Sequence, residues 1–416
     1  MLVLLNGNLI DGIGRKPIQK AIVIIKGDRI EHAGLEIGYP EDANIIDLQG
    51  LTVMPGLIDC HLHLGGIVKD KPGQVLGKVS FLDMVLYLLD YARSYAHRRH
   101  LSIENGVTSI RSAGDHYPHI IKLRDKLNSG KLYGPRIFAP GPIFIAPGGH
   151  PASTIYRGNR YIVEHVTRQV DDTNTAREEV QRLASGRVDC IKAVYGDVDP
   201  MDLTRRLPKL GLKVLDAIVD EAHKHGLRVM VHTGNIEDMM DAVKIGADSI
   251  EHGILPGASS TEFPDDLVNM MLERKVYFVP TLATAWAYKE MYPDLFSALK
   301  VTVKRLYDAG VNIAAGTDSG TPGVVIGRAV HKEIELMKES GLSSMAAIVA
   351  ATKNAAENLG KGEALGTIES GKLADIIVVS GDPIQNITDT RNIRMVIKDG
   401  NILVDKLGSS RTTRLR

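Results

Sequence analysis

Eight short apolar runs, separated by longer stretches of helical periodicity, dominate the middle of this chain. They are Thr52 to Asp59, Val107 to Arg111, Arg136 to Ala139, Cys190 to Val194, Arg228 to His232, Ser249 to His252, Val276 to Pro280 and Asn312 to Thr317. Strands linked through helices pair in parallel, because each crossover returns the chain to the same end of the sheet. Eight such units favour closure into a (β/α)₈ barrel over an open sheet. Two of the helices also show where they stop: Leu215 to His225 runs into Gly226, and Val303 to Ala309 into Gly310. Glycine ends a helix by taking the left-handed conformation at no steric cost.

The two ends of the chain have a different texture. Leu2 to Leu5, Ala21 to Lys26 and Arg29 to His32 are short and apolar, punctuated by Asn6-Gly7-Asn8, Asp11-Gly12 and Gly27-Asp28. Far along the chain, Asp375 to Ser380 and Met395 to Lys398 repeat that texture, and Asp399-Gly400-Asn401 reads as a hairpin turn feeding Ile402 to Val404. The 416 residues suffice for a large barrel and a small companion. The expected organisation is a barrel over residues 57–364 and one small β-sandwich domain from residues 1–56 and 365–405. Residues 406–416, rich in Arg, Ser and Thr, are expected to fray.

Composition excludes several partners. Fifty Lys plus Arg balance fifty Asp plus Glu, so no basic excess drives nucleic-acid binding. The N-terminal MLVLLNGNLIDG has no basic start, and its apolar run stops at Asn6, so it reads as a strand and not as a signal peptide. No stretch approaches the roughly 18–20 apolar residues that span a bilayer. Two cysteines, Cys60 and Cys190, make no disulfide framework and fit a reducing compartment, so the expected location is cytoplasmic. The cluster Arg98-Arg99-His100 reads as a solvated helix face. The glycines from Gly316 to Gly323 lack the Lys-Ser/Thr ending of a phosphate loop.

Barrel enzymes carry their chemistry at the C-terminal ends of the strands. The first run ends in Asp59-Cys60-His61-Leu62-His63, and alternation turns both imidazoles to one side, as a metal pair or as two surface histidines. The fifth ends at His232, followed by Thr233-Gly234. The sixth ends in Glu251-His252-Gly253, and the eighth in Gly316-Thr317-Asp318-Ser319-Gly320. Singly, each His or Asp reads as a hydrogen-bonded loop residue; four corresponding strand ends together point to a metal centre. Lys192 lies inside the apolar run Cys190-Ile191-Lys192-Ala193-Val194, where burying an ammonium is costly. It either snorkels from an edge strand or is desolvated, with a lowered pKa and a neutral amine able to capture carbon dioxide. The resulting carbamate is an anionic two-oxygen ligand that can bridge two cations.

These motifs, VMPGLIDCHLHL, the Lys192 strand, VHTG, IEHG and GTDSG, closely resemble the amidohydrolase superfamily, as does the C-terminal stretch GTIESGKLADIIV. The likeness spans residues 1–405 and is greatest to the imidazolonepropionase-like and Xaa-Pro dipeptidase (prolidase-like) group. It implies a metal-dependent hydrolase of a C–N amide bond in a dipeptide, N-acyl amino acid or related small molecule. His61, His63 and Asp318 would bind the more buried of two divalent ions. His232 and His252 would bind the second, and carbamylated Lys192 would bridge both. Zinc suits imidazole and carboxylate ligands. The ion at His232 and His252 would polarise the scissile carbonyl, while a bridging water becomes hydroxide near neutral pH. Asp318 would pass the water's proton to the leaving nitrogen. Asp318, Lys192 and His252 thus form the implied catalytic set.

Departures from the family pattern narrow the activity. One-metal deaminases place a glutamate three residues after the fifth-strand histidine, where this chain has Asn235, and Glu237 is out of step. Deaminases and imidazolonepropionases also lack the strand-four lysine. A mononuclear cyclic-amide hydrolase or deaminase is therefore the alternative, and a non-catalytic scaffold a third. Gly148-Gly149-His150 matches a dipeptidase motif whose histidine meets the substrate carboxylate, although His150 also reads as an ordinary loop residue. A tyrosine usual after the fifth-strand histidine is missing at Gly234, and Tyr195 and Arg111 are the candidates to replace it. Specificity is expected in the loops near residues 64–80, 140–160 and 281–300. Relatives of this group are usually homo-oligomers, which makes self-association an expectation.

Overall fold

Five strands form from the apolar segments at the N-terminal end: β1 (Leu2–Leu9), β2 (Ile18–Lys26), β3 (Arg29–Gly34), β4 (Asn44–Asp47) and β5 (Thr52–Pro55). The structure, a computed structural model, describes residues 1–35, 37–65, 81–156, 160–200, 202–253, 263–408 and 412–413. Asn6-Gly7-Asn8, expected to be a turn, is a bulge inside β1. The register with β2 shifts on both sides of Gly7, and Asn6 takes φ +55°. A bulge bends its strand. Accordingly, β1 pairs with β4 before the bulge, at Leu2–Leu5, and with β5 after it, at Asn8 and Leu9.

The run Thr52 to Asp59 is two strands and not one. It breaks at Gly56, where a side chain would clash with Thr108, its Cβ lying 2.3 Å from Oγ1. Beyond that point the barrel begins: β6 (Leu57–Leu62), β7 (Val107–Ser112), β8 (Arg136–Phe138), β9 (Ile143–Ile145), β10 (Thr167–Gln169) and β11 (Cys190–Tyr195). A hairpin, β12 (Val198–Asp199) and β13 (Asp202–Arg206), follows, then β14 (Arg228–Thr233), β15 (Ser249–Glu251) and β16 (Tyr277–Val279). All the barrel pairings are parallel.

Two staves are irregular. The third is divided by Pro140-Gly141-Pro142, so that β8 pairs with β7 while β9 pairs with β11. Asp189 N donates to Ala139 O at 2.9 Å and joins the two halves of the wall. The eighth, Asn312 to Thr317, is extended but not a regular strand. On one side Phe278 N donates to Asn312 O and Ala314 N to Phe278 O, both at 2.9 Å. On the other side Cys60 N donates to Ala315 O at 2.9 Å and Thr317 N to His61 O at 3.0 Å. This closes the (β/α)₈ barrel.

The chain then returns to the first sheet through β17 (Ile376–Val379), β18 (Ile393–Lys398), β19 (Asn401–Asp405) and β20 (Thr412–Thr413). The first of these pairs antiparallel with β5, and β20 pairs with β4, so part of the segment expected to fray is paired. Strands from both ends thus make one nine-stranded sheet. Leu4, Val23, Ile46 and Val53 share its core with Ile376, Val378 and Met395.

The helix Phe81–Glu104 corrects another expectation. Arg99 is buried and donates to Tyr133 O, and Arg98 donates to Leu64 O at 3.0 Å, so of the basic cluster only His100 is exposed. Among the described residues, no helix is long and apolar enough to cross a membrane.

Barrel and end sheet are joined by charge as well as by chain. Arg136, opening β8, donates to Asp375 Oδ2 at 2.6 Å and to Asp399, while Asp399 N donates to Asp375 Oδ1 at 3.0 Å. Asp375 is only 6% exposed, so losing its cation leaves a buried charge uncompensated. Arg136→Ala should lower unfolding stability by about 3 kcal/mol, read as a lower urea midpoint at unchanged slope.

Candidate metal centre

In β6 the period-two alternation carries His61 and His63 to one side, toward Asp318 at the end of the eighth stave. Asp318 Oδ1 lies 3.6 Å from His61 Nε2 and 3.3 Å from His63 Nε2. Ligand atoms of the three residues fall within 4.8 Å of one another, close enough for one cation. The opposite ring nitrogens are occupied. His63 Nδ1 donates to the Gly114 carbonyl at 3.1 Å, and His61 Nδ1 meets Glu251 Oε2 at 2.6 Å. A carbonyl only accepts, so the Nδ1 proton is fixed and Nε2 keeps its lone pair for a metal.

The Asp318 backbone is held just as firmly. Its N–H donates to His61 O at 2.7 Å, and Asp59 accepts from Thr317 N at 3.0 Å and Thr317 Oγ1 at 2.7 Å. Burial, opposed by these bonds, raises the Asp59 carboxyl to about 7. Asp318 and His252 both take left-handed backbone, at φ +53° and +66°. Such strain at non-glycine residues persists where the surroundings over-determine it. Gly320, at φ +98°, is required because a Cβ there would lie 2.2 Å from His63 O.

The other imidazoles continue from this pair. The His252 ring packs edge-on against His61 at 4.7 Å and against His232 at 4.5 Å, and the His150 ring lies 5.3 Å from His232. His252 Nδ1 is hydrogen-bonded to Thr281 Oγ1 at 2.8 Å, and His150 Nδ1 to Thr154 Oγ1 at 2.7 Å. Burial pulls His61, His232 and His252 well below the usual histidine range, reinforced by Lys192, His252 and His61 respectively. Burial also takes His150 down to about 3. At His63 burial is outweighed by the bond to Asp318, and the pKa rises.

Lys192 is 2% exposed, and its Nζ has no hydrogen-bond partner among the described residues. Burial lowers its pKa to about 8, against the pull of Glu251.

Two expected substrate contacts lie elsewhere. Arg111 is 2% exposed inside the barrel, donating from Nε to Cys60 O at 2.7 Å and from Nη2 to Glu251 Oε1 at 2.8 Å. Its fork is spent on protein groups. Tyr195 sits one step out of phase with Lys192 and so faces the helices. Its hydroxyl donates to Asp241 Oδ2 at 2.9 Å, under the Lys209 ammonium. Of the expected specificity loops, residues 66–80 and 157–159 lie outside the described residues.

The residue that sequence reasoning passed over is Glu251. Fully buried, it joins His61, Arg111 and Ser249, whose Oγ donates to Oε1 at 2.6 Å. The signal was available: an acid inside one apolar strand and an arginine inside another must find each other, because neither charge is tolerable alone.

A closed (β/α)₈ barrel gathers histidines and an acid at its strand ends, a group able to hold a metal ion. The profile of the amidohydrolase family matches residues 52–403; the chain belongs to that family and is a hydrolytic enzyme. It is 31% identical to a Xaa-Pro dipeptidase whose crystal structure contains bound methionine, with TM-score 0.80 over 96% of this chain and 99% of that one. It is 26% identical to the ochratoxinase of Aspergillus niger over 92% of this chain and 81% of that protein. Molinate hydrolase, 24% identical, shares the fold with TM-score 0.81 over 98% of this chain and 95% of that one.

Glu251→Gln removes the charge that balances Arg111 and weakens the acceptor for His61. It should lower divalent-metal affinity by about 10–100-fold, measured by competition with a chromophoric chelator, with the far-UV dichroism unchanged.

Proposed function

We propose that this protein is a binuclear metal-dependent hydrolase of amide C–N bonds in dipeptides, N-acyl amino acids or related small molecules. The carrying observation is the buried Lys192 amine, without a hydrogen-bond partner among the described residues, in the barrel that also carries His61, His63, His232, His252 and Asp318. In this reading Lys192 Nζ attacks carbon dioxide, an N–C bond forms, and a proton leaves to solvent. His61, His63 and Asp318 would then hold one cation and His232 and His252 a second, with the Lys192 carbamate as the anionic ligand common to both. The residues fit such ions: His61 and His63 have their Nδ1 atoms occupied, and their Nε2 atoms converge on Asp318 Oδ1 at 3.6 and 3.3 Å. Zinc matches the donor set. When bound, the ions supply Lewis acidity toward a carbonyl and lower the pKa of water.

The chain's own groups do the remainder. Asp318, within reach of both first-strand histidines, accepts a proton from the attacking water and returns it to the leaving nitrogen. His150, beside His232 and neutral, is placed to hydrogen-bond the substrate's polar end. The likeness to a Xaa-Pro dipeptidase supports an amide with an amino acid portion. Two buried free cysteines accord with a cytoplasmic enzyme, and the family resemblance with a homo-oligomer.

A mononuclear enzyme is the second reading. It is favoured by the His61, His63 and Asp318 group, the one three-ligand group found among the described residues. It is also favoured by 24% identity to the imidazolonepropionase of Clostridium tetani over 94% of this chain. Metal analysis separates the two. The binuclear reading expects about two equivalents of metal per chain and higher activity when bicarbonate is present during loading. A panel of N-acyl amino acids, dipeptides and carbamates should identify the substrate. Lys192→Ala should lose at least about 100-fold in kcat/KM; full activity in that variant refutes the bridging role.

A further inference from the structure

The short helix Leu282–Ala287, which follows the seventh stave, is fastened at three points, two of them to residues of the candidate metal centre. Thr281, which precedes it, is hydrogen-bonded through Oγ1 to His252 Nδ1 at 2.8 Å. The buried carboxylate of Glu333 accepts from Leu282 N at 3.0 Å and Ala283 N at 2.6 Å, satisfying the first free N–H groups of the helix. Thr284 Oγ1 then donates to Thr317 O at 2.8 Å, the residue before Asp318. This segment therefore moves with the catalytic residues or not at all.

Tyr288 lies one turn beyond Thr284, its N–H donating to Thr284 O at 3.2 Å. Residues four apart share a helix face, so Tyr288, at the C-cap, follows Thr284 on the face that reaches the Asp318 loop. Trp286, two residues from each, points the opposite way. Its ring is 37% exposed and lies between the Lys289 and Lys332 ammonium groups, at 4.4 and 4.5 Å. Tyr288 is half-buried, and its hydroxyl donates to no described residue. Burial first, and then the Asp318 charge, push that hydroxyl up to about 12, which keeps it a neutral donor across the working pH range.

We propose that Tyr288 is a specificity-determining residue whose hydroxyl donates a hydrogen bond to an oxygen of the amide substrate held beside Asp318. This rests on the amide-hydrolase reading and adds to it a contact that neither the motifs nor Tyr195 and Arg111 supply. The donor is preorganised, since Glu333, Thr281 and Thr284 fix its helix before any substrate arrives.

Tyr288→Phe deletes only the hydroxyl. The zinc-loaded variant and wild type are compared on the best substrate of the panel, and in binding acetohydroxamate, a small amide mimic, by calorimetry. The expected result is a fall in kcat/KM of about 10–100-fold and a weakening of acetohydroxamate of about fivefold or more. Zinc content should be unchanged, and Trp286→Phe should leave both quantities within about twofold of wild type. Wild-type kinetics and hydroxamate affinity in Tyr288→Phe overturn the proposal, as does a loss of zinc that accounts for the defect. Should wild type hydrolyse nothing in the panel, the amide reading fails, and the hydroxamate comparison alone decides for or against Tyr288.

Discussion

A carboxylate that no water reaches governs the centre of this barrel. Glu251 contacts His61 and Arg111, which stand on separate strands, β6 and β7, while its own strand is β15. Desolvating an acid and a guanidinium costs several kcal/mol per ion, so the pair is tolerable only because the two bond each other and, in addition, Cys60 O, Ser249 and His61. That arrangement has a consequence for chemistry. The acid that neutralises Arg111 is also the acid that fixes which His61 nitrogen carries the proton, so stability of the interior and readiness of the metal ligand rest on one residue.

The same economy appears on the far side of the centre. Left-handed backbone at His252 and Asp318 would relax if their neighbours yielded. Thr281, Thr284 and Asp59 prevent it by bonding the His252 ring, the Thr317 carbonyl and the Thr317 amide. The candidate ligands thus sit on strand ends and strained turns, and His61, His252 and the Asp318 turn are each braced by a polar side chain from another element.

Much of this was legible in the sequence because strands obey a period of two. His61 and His63 had to share a face, and Lys192 had to lie in an apolar strand; the structure has both. Where the reading failed, the missing information was direction or continuity. Tyr195 and Arg111 were recognised as polar groups near strand ends, but a phase difference of one residue sends Tyr195 to the helices, and an unseen Glu251 draws Arg111 inward. The break at Gly56 depends on contact with Thr108, and the split third stave on where β7 and β11 lie, neither of which is a local property. β4, four residues long with two isoleucines, carries too little pattern to be noticed. Arg99 shows the same limit in reverse, since a basic run on a helix says nothing of a carbonyl waiting at Tyr133.

The seam between β5 and β17 carries a consequence for how the chain is made. Val53 pairs with Val378, and Met54 with Ile377, so an apolar strand born early waits for a mate synthesised after the whole barrel. Until then β5 offers an open hydrogen-bonding edge, the kind of surface that recruits strangers. Contacts so distant in sequence form late and slowly. Nascent chains of this protein therefore have a built-in window of vulnerability, closed only when the last few strands emerge.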